Sequence, residues 1–200
     1  DGTGVVVLGE GDVLQVLASA GDPTGTIIDA DKPVQVFGGH ECTNVPLNVA
    51  ACDHLEESMF PIETLSKEYV VVPPVQVPND KLSQGQVVRV IASEENTTLV
   101  FTPDQPVGKL LAKAGDYVEI TSNVAQFLVK ADKKVMVVQY MVGQSGGYGT
   151  SDPAMLVAVN PLQWRKNYLF FAATSWQANY VDILGPLNAA QRKALTTVGR

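Results

Sequence analysis

Short apolar runs, separated by Gly, Pro and charged residues, recur along the whole chain. Several of them alternate apolar with polar side chains, which is the period of a half-buried β-strand, and they are rich in Val, Ile, Tyr and Phe. The pattern predicts an all-β protein. The predicted strands cover residues 5–8, 13–17, 26–28, 34–37, 69–72, 86–92, 97–101, 109–112, 117–120, 126–129, 135–141, 155–159, 168–172 and 180–184.

Local turn and helix signals add detail to this pattern. Glu94, Glu95 and Asn96 lie between two predicted strands, so residues 86–101 are predicted to form a β-hairpin. Residues 55–59 have the composition of a single helical turn. Residues 186–195 are rich in helix formers at helical spacing, and they predict a short C-terminal helix.

The chain also contains an internal sequence match. Residues 8–13 match residues 112–117, each with a Gly-Asp pair, and residues 30–36 match residues 131–137, each opened by Ala-Asp-Lys. We interpret the Gly-Asp pairs as turns, since Gly accepts a positive φ and Asp hydrogen-bonds the nearby backbone. The matches predict two duplicated halves, 1–104 and 105–200, built as an antiparallel, jelly-roll-like β-sandwich.

The most distinctive stretch is residues 37–61, which holds both cysteines, both histidines and a group of carboxylates. One interpretation is a disulfide that fixes an irregular loop. The other is a metal or catalytic cluster, because imidazole, thiolate and carboxylate are zinc ligands. Its members would be His40, Glu41, Cys42, Cys52, Asp53 and His54. The stretch has neither C-x-x-C nor H-E-x-x-H spacing, which favours the disulfide; a metal-dependent hydrolase using His40, Asp53 and His54 remains the alternative.

Composition and charge narrow the class of function. The chain has 200 residues, of which 46% are apolar, so it can bury a sizeable core, and no apolar run reaches the length of a membrane span. A net charge of −7 without a Lys/Arg stripe argues against nucleic acid as a partner. The start at Asp1 predicts a piece of a longer protein. Two cysteines close in sequence favour an extracellular compartment.

Signals for enzymatic chemistry are weak. Residues 143–147 only superficially resemble a nucleophile elbow, and the Gly-rich stretch 146–149 is not followed by the Lys-Ser/Thr of a phosphate loop. We therefore predict no catalytic residue, no cofactor and no metal. Trp164 and Trp176 are predicted to be core residues.

Taken together, these segments resemble the IgG Fc-binding family, the domain found at the N-terminus of the mucin-like Fc-gamma-binding protein and in many bacterial surface proteins. The resemblance lies in residues 32–42, Val45-Pro46, residues 52–57, Pro61, residues 89–93 and 96–98, and residues 152–155. It implies an extracellular or cell-surface module for protein binding or adhesion, without enzymatic activity. It also implies a disulfide between Cys42 and Cys52.

A fixed loop loses less entropy on binding than a free one, so the loop between the cysteines is the predicted ligand site. The predicted contact residues are His40, Asn44, Asp53, His54 and Glu56. The Gly-rich loop 143–153 is the second candidate. The expected partner is a protein or glycoprotein. The remaining alternative is a structural subunit of an extracellular assembly, which associates with copies of itself through open sheet edges.

Overall fold

A computed structural model describes residues 2–76, 82–171, 175 and 179–185. The described residues contain nine β-strands and three short 3-10 helices, and every strand pairing is antiparallel. The strands are β1 (Phe37–Thr43), β2 (Asp53–Ser58), β3 (Ser66–Val71), β4 (Gln86–Ala92), β5 (Thr97–Thr102), β6 (Leu110–Leu111), β7 (Tyr117–Asn123), β8 (Phe127–Met141) and β9 (Ala154–Val157). The 3-10 helices are Ile62–Thr64, Gln144–Gly146 and Pro161–Gln163. The predicted all-β antiparallel class is confirmed.

Strand β8 is the centre of a seven-stranded sheet with the order β6-β5-β8-β4-β7. Strands β3 and β9 also pair with β8, so four other strands contact it along its 15 residues. The first part of β8 lies between β3 and β5, and the second part lies between β4 and β9. Residues 126–129 and 135–141, predicted as two strands, therefore belong to one long strand.

The core is built from the alternating apolar positions of these strands. Val88 and Val90 of β4 and Val135 and Val137 of β8 are fully buried. The rings of Phe101 and Phe127 meet edge to face, with their centroids 6.0 Å apart. Because β3, β4 and β5 precede residue 104 and β6 to β9 follow it, both halves of the sequence contribute to one sheet and one core.

Two local predictions were wrong. Strands β4 and β5 do not form a hairpin, because both run antiparallel to β8 and pair in turn with residues 135–141 and 128–131 of that strand. Residues 93–96 carry the chain from β4 to β5 along one edge of β8, and the amide of Ser93 donates to the carbonyl of Lys134 at 3.2 Å. Residues 55–59, predicted as a helical turn, lie mostly in strand β2, where Leu55 is buried and the pairing with β1 supplies backbone hydrogen bonds.

The two ends of the chain differ most from the predictions. Residues 2–36, which we call the N-terminal arm, contain no strand; the first strand begins at Phe37. Residues 165–171, which we call the C-terminal arm, and residues 180–184 are not strands either. Strand propensity needs a neighbouring strand to accept its hydrogen bonds, and among the described residues no strand lies beside these segments. The predicted helix 186–195 lies outside the described residues.

Candidate binding site on the disulfide-linked hairpin

Strands β1 and β2 form a separate two-stranded sheet that presents the cysteine-containing loop. Cys42 and Cys52 are joined by a disulfide with a Cα–Cα distance of 5.1 Å, as the family resemblance implied. Gly39 lies opposite Glu56 in this hairpin, and a Cβ at Gly39 would collide with the backbone of β2. The close approach of the two strands therefore requires glycine at this position.

A small apolar cluster fixes the hairpin to the body of the protein. Val45 of the loop and Leu55 of β2 are buried against Val87 of β4 and Val142, which follows β8. Tyr148 packs against the edge of the same cluster. The loop between the cysteines is therefore held at two points, by the disulfide and by this cluster.

The Gly-rich loop that follows β8 is hydrogen-bonded directly to the cysteine loop. The amide of Gly143 donates to the carbonyl of Val45 at 2.9 Å, and the amide of Ser145 donates to the carbonyl of Ala50 at 2.8 Å. A Cβ at Gly143 would lie 3.0 Å from the Ala51 carbonyl oxygen, so the loops are in close contact. The two loops, predicted as separate candidates, form one continuous surface.

The predicted contact residues lie on both faces of the hairpin. His40 is opposite Leu55, so those two side chains share one face, whereas His54 and Glu56 alternate with Leu55 and share the other. The His54 Nε2 atom is 3.2 Å from Glu56 Oε2, and both side chains are more than half exposed. His40 instead accepts a hydrogen bond at Nδ1 from the amide of Cys42, at 3.1 Å.

The other two predicted residues support the backbone. Asn44 is half-buried and donates from Nδ2 to the carbonyl of Leu47 at 3.2 Å, which closes a turn of the loop. The Asp53 Oδ1 atom accepts a hydrogen bond from the amide of His54 at 2.7 Å, at the start of β2. We therefore assign Asn44 and Asp53 to the shape of the loop.

The alternative metal site requires His40, Asp53 and His54 to converge on one ion. The register of the hairpin directs His40 and His54 to opposite faces. Within the part of the chain that the structure describes, no group of three or more His, Cys, Asp or Glu residues could hold a metal ion. The geometry gives the hydrolase alternative no support.

The sequence analysis missed one apolar residue of this surface. Leu47 lies in the loop between the cysteines and is 84% exposed, which is unusual for a large apolar side chain in a fixed loop. The signal in the sequence was a single leucine between Pro46 and Asn48, in a stretch with no strand or helix period.

A second polar cluster, also missed, joins the N-terminal arm to the sheet. The Nη1 atom of Arg89 is 2.7 Å from Asp22 Oδ2, and its Nε atom is 2.7 Å from Glu119 Oε2. The guanidinium lies over the ring of Tyr117, 4.8 Å from its centroid. Arg89 Nη1 also donates to the hydroxyl of Thr24 at 2.7 Å.

The charges of this cluster shift the pKa of its members. Partial burial raises the pKa of Asp22, but hydrogen bonds from Thr24 and the charge of Arg89 outweigh it, so the pKa of this carboxyl lies below its ordinary value. Burial raises the pKa of Tyr140, whose ring also lies beside Arg89. Arg89 is already paired with two carboxylates, which makes the cluster an anchor for the arm and leaves little capacity for a ligand.

Comparison with known proteins gives one result. A family model described as IgGFc binding protein matches residues 1–198. No curated protein and no solved structure matches the chain.

Proposed function

The chain belongs to the IgGFc binding protein family, and on that premise we propose that it is an extracellular or cell-surface module that binds a protein ligand and serves adhesion without catalysing a reaction. The observation that carries the proposal is the surface formed by the β1–β2 hairpin and the Gly-rich loop. It is fixed by a disulfide and by two backbone hydrogen bonds between the loops.

The exposed side chains of this surface suit a protein partner. Leu47 offers an apolar contact, and the His54–Glu56 pair offers hydrogen-bonding groups on a fixed strand. A binding site gains affinity when its backbone is ordered before the ligand arrives, because less conformational entropy is lost on binding. His40, on the other face of the hairpin, offers a second contact to a ligand that wraps around the edge of the hairpin.

The proposed location rests on the disulfide and on the family. A disulfide persists in oxidising compartments and is rare in the cytosol. None of the described residues forms a helix long and apolar enough to span a membrane.

Binding to an immobilised IgG Fc fragment and to immobilised extracellular glycoproteins, measured by surface plasmon resonance, tests the proposal. The family description makes the Fc fragment the first probe. We expect the double variant His54→Ala, Glu56→Ala and the single variant Leu47→Ala each to weaken binding at least tenfold. Glu94→Ala, an exposed carboxylate in the turn after β4, is the matched control and should leave affinity unchanged.

Two outcomes oppose the proposal in different ways. Equal affinities for the wild type and the site variants would place the binding surface elsewhere on the molecule. No binding of the wild type to the Fc fragment or to the glycoproteins would remove the proposed function itself.

A further inference from the structure

Both arms contain segments with the apolar pattern of β-strands, and the apolar side chains of these segments are exposed. In the N-terminal arm Val7 and Val16 are 93% and 82% exposed, and in the C-terminal arm Tyr168 and Phe170 are 69% and 64% exposed. Soluble proteins rarely present so many large apolar residues in adjacent positions without a partner. The identity of that partner can be argued from the local structure of the arms.

The turn in the N-terminal arm has the same geometry as the turn between β6 and β7. Gly11 and Gly115 have φ values of 84° and 85°. The Asp12 carboxylate accepts the Gly9 amide at 2.8 Å, and the Asp116 carboxylate accepts the Lys113 amide at the same distance. Residues 5–17 are therefore locally built like the β6–β7 segment, which in the core is paired with β4 and β5.

The start of the C-terminal arm has the same geometry as the start of β3. The 3-10 helices Ile62–Thr64 and Pro161–Gln163 precede the two segments. In the first segment the Ser66 amide donates to the Tyr69 hydroxyl at 3.0 Å, and in the second the Arg165 amide donates to the Tyr168 hydroxyl, also at 3.0 Å. Tyr168, Leu169 and Phe170 thus occupy the positions of Tyr69, Val70 and Val71.

In the core, β3 pairs with the first part of β8, with Tyr69 opposite Val129 and Glu68 opposite Lys130. Residues 30–36 of the N-terminal arm match residues 131–137 of β8, so Ile28 corresponds to Val129 and Asp29 to Lys130. By this correspondence Tyr168 would lie opposite Ile28, and Asn167 opposite Asp29. In this pairing the apolar residues of each arm would cover the exposed apolar residues of the other arm.

The charges of the two segments are complementary. The C-terminal arm begins with Arg165 and Lys166, whereas residues 26–34 of the N-terminal arm contain Asp29, Asp31 and a single lysine. In the core Lys67 Nζ donates to the backbone carbonyl of Asp132 at 2.6 Å, and the ion pair Lys130–Glu68, at 3.4 Å, has Asp29 and the uncharged Asn167 as its counterpart in the arms. Lys166 and Asp31 are the corresponding residues of the arms.

Both arms leave the core at the same end. In the N-terminal arm Gly25 contacts Gly115, and the amide of Gly115 donates to the carbonyl of Ala92 in β4. Across the sheet, Ala92 is opposite Val135 of β8, and Val135 is opposite Ser66 of β3. Ser66 is two residues from Thr64. The Thr64 carbonyl accepts the side chains of Asn160 and Gln163, which fix the start of the C-terminal arm. Three strand spacings, about 14 Å, therefore separate Gly115, which Gly25 contacts, from Ser66.

We propose that two copies of this chain form a two-fold dimer in which the N-terminal arm of each copy pairs with the C-terminal arm of the other. Both arms leave the core at one end, so a two-fold axis at that end lets each of the four arms pair with an arm of the other copy. The dimer is then closed, because no arm is left without a partner. The inference goes beyond the proposed ligand site, which lies on a different surface. The sequence repeat with halves 1–104 and 105–200 stays a prediction that this pairing would support.

Disulfide cross-linking between differently labelled chains tests the pairing. Asp29→Cys protein is mixed with Asn167→Cys protein under mild oxidation, and a covalent dimer that contains one chain of each kind is expected. Glu10→Cys, exposed in the turn of the N-terminal arm, replaces Asp29→Cys in the control mixture, which should not cross-link with Asn167→Cys. A chain that carries both Asp29→Cys and Asn167→Cys is oxidised separately. A cross-link that forms only within this chain and not in the mixture, or no cross-link in either sample, overturns the dimer.

Sedimentation of the full chain gives a second measurement that is independent of any ligand. The wild type is expected at twice the monomer mass. Phe170→Asp, at the position of the fully buried Val71, should shift the protein to the monomer, whereas Leu169→Asp, at the position of the half-buried Val70, should leave it dimeric. A monomeric wild type, or equal effects of the two variants, contradicts the inference; neither result affects the ligand site, which is tested by affinity for immobilised partners.

Discussion

The guanidinium of Arg89, in the middle of strand β4, forms an ion pair of 2.7 Å with the carboxylate of Asp22 in the N-terminal arm. The Nε atom of Arg89 lies at the same distance, 2.7 Å, from Oε2 of Glu119 in the neighbouring strand β7. The two side chains join a segment with no strand of its own to the outer face of the sheet. The arm is therefore attached to the sheet at residues 22–25, and at its end the carbonyl of Val36 accepts a hydrogen bond from the amide of Met59 at 2.9 Å.

Removing the charge of Asp22 should loosen this attachment. We expect Asp22→Asn to lower the free energy of unfolding by less than about 1 kcal/mol, since the pair is partly exposed. The amides of residues 24–28 should exchange faster with deuterium, while those of β4 and β8 should not change. Glu10→Gln, an exposed carboxylate in the turn of the same arm, is the control, and faster exchange in that variant as well would mean that the effect is not specific to the Arg89 contact.

Acid should release the arm before it unfolds the sheet. The pKa of Asp22 is held below its ordinary value, so its contribution is complete above about pH 4 and is lost as the pH falls through the lowered pKa. The amide resonance of Thr24, whose N–H donates to Asp22 Oδ1 at 2.9 Å, reports this step by NMR. The step should be absent in Asp22→Asn; if it persists there, another group controls the docking.

Gly25 and Gly11 offer a matched pair of substitutions. Both have a positive φ, 88° and 84°, but a Cβ at Gly25 would overlap the carbonyl of Gly115, whereas a Cβ at Gly11 meets nothing within 4 Å. Gly11→Ala should cost about 1 kcal/mol from backbone strain alone. Gly25→Ala should displace the arm as well, which would be seen as faster deuterium exchange at residues 22–28. Similar exchange in both variants would contradict the close contact.

The disulfide should stabilise the protein through the unfolded state. We expect the double variant Cys42→Ser, Cys52→Ser to lose about 2 to 3 kcal/mol of unfolding free energy, because the bond closes a loop with a sequence separation of 10. Chemical denaturation of the oxidised protein and of the variant measures the difference. An unchanged midpoint would show that the apolar cluster around Leu55 alone holds the loop in place.

Much of the core could be predicted from the sequence. The alternation of Val88 and Val90 with Arg89 and Ile91 marks β4, and Val135 and Val137 mark the centre of β8, because each strand buries one face and the period of two is local. The Gly-Asp turns were also predictable, since their hydrogen bonds lie within four residues. The disulfide followed from the family resemblance.

The pairing partners of the strands could not be predicted. Strands β4 and β5 are adjacent in sequence, and yet they pair in turn with β8 along one of its edges and not with each other, because both run antiparallel to β8. Likewise no sequence pattern indicated that the cysteine loop and the Gly-rich loop are hydrogen-bonded to each other. Such contacts depend on side-chain packing between distant segments, which no local pattern encodes.

The sequence by itself determined the secondary-structure class, the turns and the chemical character of the cysteine loop, since each depends on residues a few positions apart. Only the tertiary structure decided which apolar runs become strands. Residues 13–17 and 69–72 have similar propensity, but Tyr69 and Val71 lie beside β8 and are buried, whereas Val16 is exposed and no strand of the described ranges lies beside it. A β-strand exists only where a second strand accepts its hydrogen bonds and covers its apolar face.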